Sequence, residues 1–495
     1  MMEQSKPSNG MIDYISRERT NTKLYFGLAW AASTIIFASI QLFLGTDEKI
    51  VGMAFISLLL CVVPLLLFGV NDISAIFIFV LLSKYSFFPL WIKTFFGQRL
   101  DIGLNAPFTT FAIALAGSAL ACIALLWAKI IPVKKRVLGY SLSTRQILLV
   151  GYFSATFGLF FLTLHIFFGP DVLPSGEIIQ GFGGFGSLIG LLYFGVICLT
   201  VASMKSNVNP IHKIFLFMII LWVMLISLRS NAKIYFTFSA FAFMLTIFYF
   251  GIRIKIKHLI YLIVFAAFYV IVFAPIIHLT RTTDFRLADF SGKVSIIQNV
   301  FNSNSILSLR DQSNQTYNLT YYPAVGTFLI DRFEMIKDLD IAAGGISRRN
   351  TIGWIPVQWA FETSLPSFIF PDKPAVNDID LIAYNAGYFP ILTRLNHTMG
   401  LFGSAYAMFL WPGLIFVSLA ILIAYIFMLR VIVRPDLRDN LFGIFLLARY
   451  SFNFSEQSVQ SLLSTMLRFI PIDVVLILGV LFLAAYMAPR ARQQG

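Results

Sequence analysis

The chain has 495 residues, 58% of them hydrophobic and only 12% charged, with 52 Phe and a formal net charge of +13. Soluble domains carry about 25% charged residues, and a mean hydropathy of +0.81 over this length would leave large apolar patches in water. A water-soluble enzyme is therefore excluded, and so is a disordered chain, because there is ample apolar surface to bury.

A bilayer core asks for about 20 mostly apolar residues per helix. In chain order the runs that meet or approach this are Leu24–Leu44, Ile50–Val70, Ile73–Ile92, Pro107–Ile131, Ile147–Phe168 and Phe185–Met204. They continue with Ile211–Leu228, Ile234–Gly251, Leu259–Leu279, a run inside Thr398–Leu429, Leu441–Phe454 and Pro471–Met487. The expectation is an all-α polytopic membrane protein of about 12 transmembrane helices, with both termini on one side. The tenth run is too long for one span and the eleventh is short. A cleavable leader is not expected, since the first run follows a largely polar stretch and is long enough to span.

The basic residues sit in short clusters between these runs, at Lys134, Lys135 and Arg136, at Arg253, Lys255 and Lys257, and at Arg430, Arg434 and Arg438. This distribution is a topology signal rather than the basic face of a nucleic-acid binder, so no nucleic-acid partner is expected. An inside N-terminus puts nearly all the clusters in the cytoplasm. Cys61, Cys122 and Cys198 all lie inside apolar runs, which argues against a disulfide framework or a thiolate metal site.

One connection is long. Residues 280–397 carry ten basic and eleven acidic residues, are near neutral, and lie outside in this topology. Phe328, Leu329, Phe333, Ile336 and Leu339 give Val325–Ile341 a helical face. Ile352–Phe370, with Gly353, Pro356, Glu362 and Pro366, suits a helix lying in the interface or folded back on the bundle. The expected organisation is helices 1–9 over residues 1–279, an outer lid over 280–397, and helices 10–12 over 398–495.

No P-loop, GxGxxG, HExxH or GxSxG is present, and the glycine-rich Gly181–Gly186 reads as the opening of a helix. In Leu228–Lys233 (LRSNAK), two basic residues, Arg229 and Lys233, stand at an outer face where the charge rule predicts none. The next helix begins there, so its N-terminal amides would join them around an anion. Arg281 leaves the ninth run at the same face, close behind His278, and Arg332 lies on the expected lid helix. Phe370–Pro374 (FPDKP) is a rigid turn presenting Asp372 and Lys373, and His397 stands where the chain returns to the membrane. Arg449, Glu456, Arg468 and Asp473 lie within or beside the last runs, where ionisable groups are costly and face a cavity or one another. Arg449 and Glu456, seven apart, would share a face if one helix carried both. Lys84 and His165 pose the same question.

The order and sidedness of LISLRSNAKIYF, the long outer loop, PSFIFPDKP and GLFGSAYAMFLWPGLIF resemble the bacterial oligosaccharide repeat-unit polymerases of the Wzy type, related to the O-antigen ligases. The chain departs from the family pattern at Ser404, where an acid is common, and at Trp411-Pro412; the surroundings of His397 fit the polymerases better than the ligases. The resemblance implies a GT-C-like membrane glycosyltransferase in a bacterial inner membrane, with cytoplasmic termini. The substrates would be undecaprenyl-pyrophosphate oligosaccharides as donor and acceptor, with a chain-length regulator and a flippase as further partners. Arg229, Lys233, Arg281, Arg332 and Lys373 would hold substrate and its pyrophosphate, and His397 or Glu362 would take the acceptor proton. No metal or other cofactor is expected. The rival readings are a lipid-linked oligosaccharide flippase, an O-antigen ligase, and a membrane acyltransferase using His397 or His278.

Overall fold

In a computed structural model the described apolar runs are helices, and the chain is an all-α membrane protein. The structure describes residues 9–139, 142–168, 171–172, 178–179, 183–204, 209–229, 233–250, 334–365, 369–370, 373–374, 376–388 and 399–487, with residues 264, 291, 292 and 295. Among these, eight helices are long and apolar enough to cross a bilayer, and four shorter apolar helices accompany them. The ninth run, Leu259–Leu279, lies outside the described residues except at Val264.

The first helices are α1 (Asn9–Phe43), α2 (Glu48–Phe68), α3 (Ile73–Tyr85), α4 (Phe87–Phe95) and α5 (Pro107–Ile130). Carboxylates start two of them: Asp47 accepts from Lys49 N, and Asp72 accepts from Ala75 N, each satisfying an amide that the helix start leaves open. Run three is one apolar stretch in sequence but two helices in space. Ser86 interrupts it, with its hydroxyl bonded back to Leu82 O (2.8 Å), a local alternative to the helical ladder.

Next come α6 (Thr144–Phe168), a two-residue antiparallel ladder of Asp171–Val172 with Ile178–Ile179, a 3-10 turn (Gly183–Ile189), α7 (Gly190–Met204), α8 (Ile211–Arg229) and α9 (Lys233–Tyr249). The glycine-rich segment thus opens a helix, as its sequence suggests. Within the long connection lie α10 (Ile336–Gly345), α11 (Ile355–Ser364) and α12 (Asp378–Asn385). The helical face expected over Val325–Ile341 is realised from Ile336 onward, and residues 325–333 lie outside the described residues. The interface-helix segment narrows to α11, which begins after Gly353 (φ +56) and ends before Pro366, whose ring disfavours a preceding helical residue.

The overlong tenth run resolves into α13 (Gly400–Phe409), a π turn (Gly413–Val417) and α14 (Ser418–Ile432). The break falls at Leu410, held at φ 58, ahead of Pro412, which has no N–H to continue the ladder. The chain closes with α15 (Leu441–Phe454), α16 (Val459–Ser464), a second π turn (Thr465–Phe469) and α17 (Ile470–Met487).

The chain forms two compact units that interleave along the sequence. One comprises residues 1–130, 333–355 and 376–424; the other comprises 131–332, 356–375 and 425–495. The long connection is thus shared between them. In the first unit α10 is built into the core: Ile336, Leu339 and Ala342 are buried. Its buried Asp340 accepts from Asn105 N (2.7 Å), Ala106 N (2.9 Å) and Thr110 Oγ1 (2.8 Å), capping α5 from more than 200 residues away in sequence. Beside it, buried Lys93 donates to Leu100 O (2.8 Å) and lies 3.9 Å from Glu334. Lys84 is buried in the last turn of α3, where its positive charge complements the helix dipole, and its carbonyl accepts from Met335 N (3.0 Å).

In the second unit α6 and α7 cross at backbone contact. A Cβ on Gly158 would overlap the backbone of Leu192, and one on Gly195 would overlap that of Ala155. Small residues that let helix backbones meet are the usual device where lipid removes the hydrophobic drive for association. This crossing fixes where the start of α7 stands against the end of α6, and the site described next is built there.

Candidate functional site

Four helices of the second unit, with the segment leading into α17, meet around a cavity of about 320 Å³. His165 enters from the last turn of α6, Tyr193 from the first turn of α7, and Ile234 and Tyr235 from the first turn of α9. Arg449, Tyr450 and Asn453 enter from the end of α15, followed by Gln457, Thr465 and Phe469 from the connection into α17. α6 and α7 run antiparallel, with Gly158 against Leu192 and Gly195 against Ala155, so the end of one meets the start of the other at the cavity.

The dominant feature is a buried ion pair. Arg449 Nε donates to Asp473 Oδ2 at 3.1 Å, with side chains 14% and 1% exposed. Tyr450 OH donates to the same oxygen, and the guanidinium lies over the Tyr193 ring, 5.3 Å from its centroid. The sequence suggests Glu456 as the face-mate of Arg449; the partner is instead Asp473, 24 residues on. The reason is that α15 stops at Phe454, so no helix carries 449 and 456 together. Asp473 Oδ1 packs against Gly190, where a Cβ would collide with it. Among the described residues His165 Nδ1 is buried without a hydrogen-bond partner, and its ring stands at a steep angle to that of Tyr235.

The sequence candidates distribute unevenly around this face. Arg229 ends α8 and Lys233 begins α9, on either side of a three-residue connection, and the next two residues, Ile234 and Tyr235, line the cavity. Their backbone therefore stands at the cavity's end of the unit; their side chains lie outside the described residues. Glu362 sits on α11 and accepts from Gln358 Nε2 (2.8 Å). That helix is fastened to the second π turn and the residue before it: Thr363 Oγ1 meets Ser464 Oγ at 3.0 Å, and Arg468 Nη1 donates to Thr363 O at 3.0 Å. Thr465 and Phe469 of the same π turn line the cavity. Lys373 folds back to donate to Leu365 O (2.6 Å); burial, aided by the nearby Arg468 guanidinium, pulls it below the usual lysine range. Arg281, Arg332, His278 and His397 lie outside the described residues.

The cavity sets fixed donors, acceptors and aromatic rings around a space large enough for a small polar ligand. Sequence reasoning marked Arg449, Asp473 and His165 as costly residues but did not gather them. It missed Tyr193, Tyr235, Asn453 and Gln457, which have no sequence signal apart from their places at helix ends. Among the described residues, no group of three His, Cys, Asp or Glu side chains is assembled to hold a metal ion.

No family model, no curated protein and no solved structure matches the chain.

Proposed function

We propose that the chain is a membrane glycosyltransferase that polymerises undecaprenyl-pyrophosphate-linked oligosaccharide repeat units at the outer face of a bacterial inner membrane. The observation that carries the reading is the gathering at one end of the second unit. The Arg229–Lys233 connection, the cavity and the anchored helix bearing Glu362 share that end. In the proposed topology, with 12 spans, a GT-C-like arrangement and cytoplasmic termini, that end faces the periplasm. This agrees with the charge asymmetry, which puts the basic clusters on the other side.

A hydroxyl of the incoming lipid-linked unit attacks the anomeric carbon of the donor glycan. The C–O bond to pyrophosphate breaks, and the lipid pyrophosphate leaves with the bonding electrons. Arg229 and Lys233, with Arg281, Arg332 and Lys373, stabilise the charge that develops on the leaving group. Glu362 or His397 takes the acceptor proton. The scheme uses no metal and no other cofactor. A chain-length regulator and a flippase act as partners upstream and alongside.

The test is Arg229. Removing one fixed donor to a developing charge costs on the order of 10²–10³ in rate, so Arg229→Ala leaves single repeat units on the carrier at normal protein abundance. Arg229→Lys restores the charge without the two-pronged geometry and rescues in part. Polymer ladders of normal length from Arg229→Ala cells, with protein level matched, would refute the assignment.

A further inference from the structure

The charge balance of the cavity sets what it can hold. Among the described residues lining it, Arg449 is the one permanently charged side chain, and its charge is met by buried Asp473 at 3.1 Å. The described part of the wall therefore carries no net charge. An incoming phosphate or carboxylate would share the guanidinium with a carboxylate already bound to it, and like charges brought together in a desolvated site cost several kcal/mol.

The remaining polar groups offer both donors and acceptors. The Asn453 side chain makes no hydrogen bond within the protein among the described residues, and His165 Nδ1 is buried with none. Gln457 gives its amide N–H to Thr465 Oγ1 (2.7 Å), which leaves its carbonyl oxygen for a ligand. A phosphate at neutral pH is chiefly an acceptor, whereas a sugar hydroxyl both donates and accepts. The ring of Tyr235 adds a flat, amphipathic surface suited to the C–H side of a sugar ring.

We propose that this cavity is a subsite for one uncharged pyranose ring, read by Asn453, Gln457 and His165, with the Arg449–Asp473 pair as a fixed neutral part of its wall. That the ring belongs to the lipid-linked glycan rests on the proposed function; the preference for a neutral ring rests on the charge balance alone. It separates two tasks at one face: the cavity grips sugar, and the Arg229–Lys233 connection grips pyrophosphate.

The experiment uses the full chain in nanodiscs and saturation-transfer NMR. The neutral probes are the methyl pyranosides of glucose, galactose and N-acetylglucosamine; the charged probes are methyl glucuronide and inorganic pyrophosphate. At least one neutral pyranoside is expected to bind saturably, with pyrophosphate at equal concentration failing to displace it. Asn453→Ala and Gln457→Ala each weaken that binding by about tenfold, the effect of one lost hydrogen bond. Because either truncation could disturb folding, Tyr235→Phe and Gln457→Glu are measured beside them with the unfolding temperature of each. Gln457→Glu adds a negative charge and should cut binding at an unchanged unfolding temperature. Displacement by pyrophosphate, a tenfold preference for the glucuronide, or no binding by any neutral probe would overturn the proposal. Neutral sugar binding with no chain growth in reconstituted membranes would instead count against the polymerase reading, leaving the subsite intact.

Discussion

Neutralising Asp473 probes the site's foundation. Asp473→Asn keeps the shape of the side chain but leaves the Arg449 guanidinium, 14% exposed, without its counter-charge. Removing one partner of a buried pair costs about 3–5 kcal/mol, and near-complete burial here leaves little solvent screening to reduce it. The carboxylate also receives two charge-assisted hydrogen bonds, from Arg449 Nε and Tyr450 OH, each worth about 1.5–3 kcal/mol, so the two estimates agree in size. Unfolding in mixed micelles, measured for Asp473→Asn, Arg449→Met and the double variant, gives the coupling directly. Either single change should lower stability by several kcal/mol, and the double variant should recover at least half of that. Strictly additive losses would refute the view that the two charges hold α15 to α17 as a pair.

Other expectations follow from the same structure. Gly158→Leu or Gly195→Leu drives a side chain into the facing backbone of α6 or α7; overpacking of this kind costs about 1–3 kcal/mol or more. Size-exclusion of solubilised protein should show loss of the folded peak, while Gly479→Leu, at a position where a Cβ meets nothing, should be silent. Asp340→Ala removes three hydrogen bonds at the start of α5 and should raise hydrogen exchange at Asn105 and Ala106, with Asp340→Asn intermediate. If the reaction is metal-independent, chain growth by purified protein survives EDTA; loss that Mg²⁺ restores would contradict the proposed role of the basic residues.

The reach of the sequence is visible in particular elements. Hydropathy marks nearly every described membrane helix to within a few residues, because in lipid a long apolar run has few options besides a helix. The breaks at Ser86 and Leu410 are harder: Ser86 acts through a bond to its own helix, and Leu410 takes a left-handed φ of 58 that hydropathy does not register. The overlong tenth run signals only that some break exists. Arg449 and Asp473 stand out as ionisable residues in apolar surroundings, yet spacing along one helix points Arg449 to Glu456. Pairing across two helices depends on the turn between them, here Ser455–Ser458 leading into α16 and a π turn, and no periodicity encodes that. Only the expected sidedness of charge, a rule about membranes rather than about folds, singles out Arg229 and Lys233 in the sequence.

The central claim is that this chain joins lipid-linked repeat units by itself. Purified protein in proteoliposomes, supplied with undecaprenyl-pyrophosphate-linked repeat units on its outer-facing side, should yield a ladder of lengthening glycans and release lipid pyrophosphate in step. The Arg229→Ala protein should leave single units. Movement of the lipid-linked unit across the bilayer with no product longer than one repeat would contradict the account and make the chain a transporter.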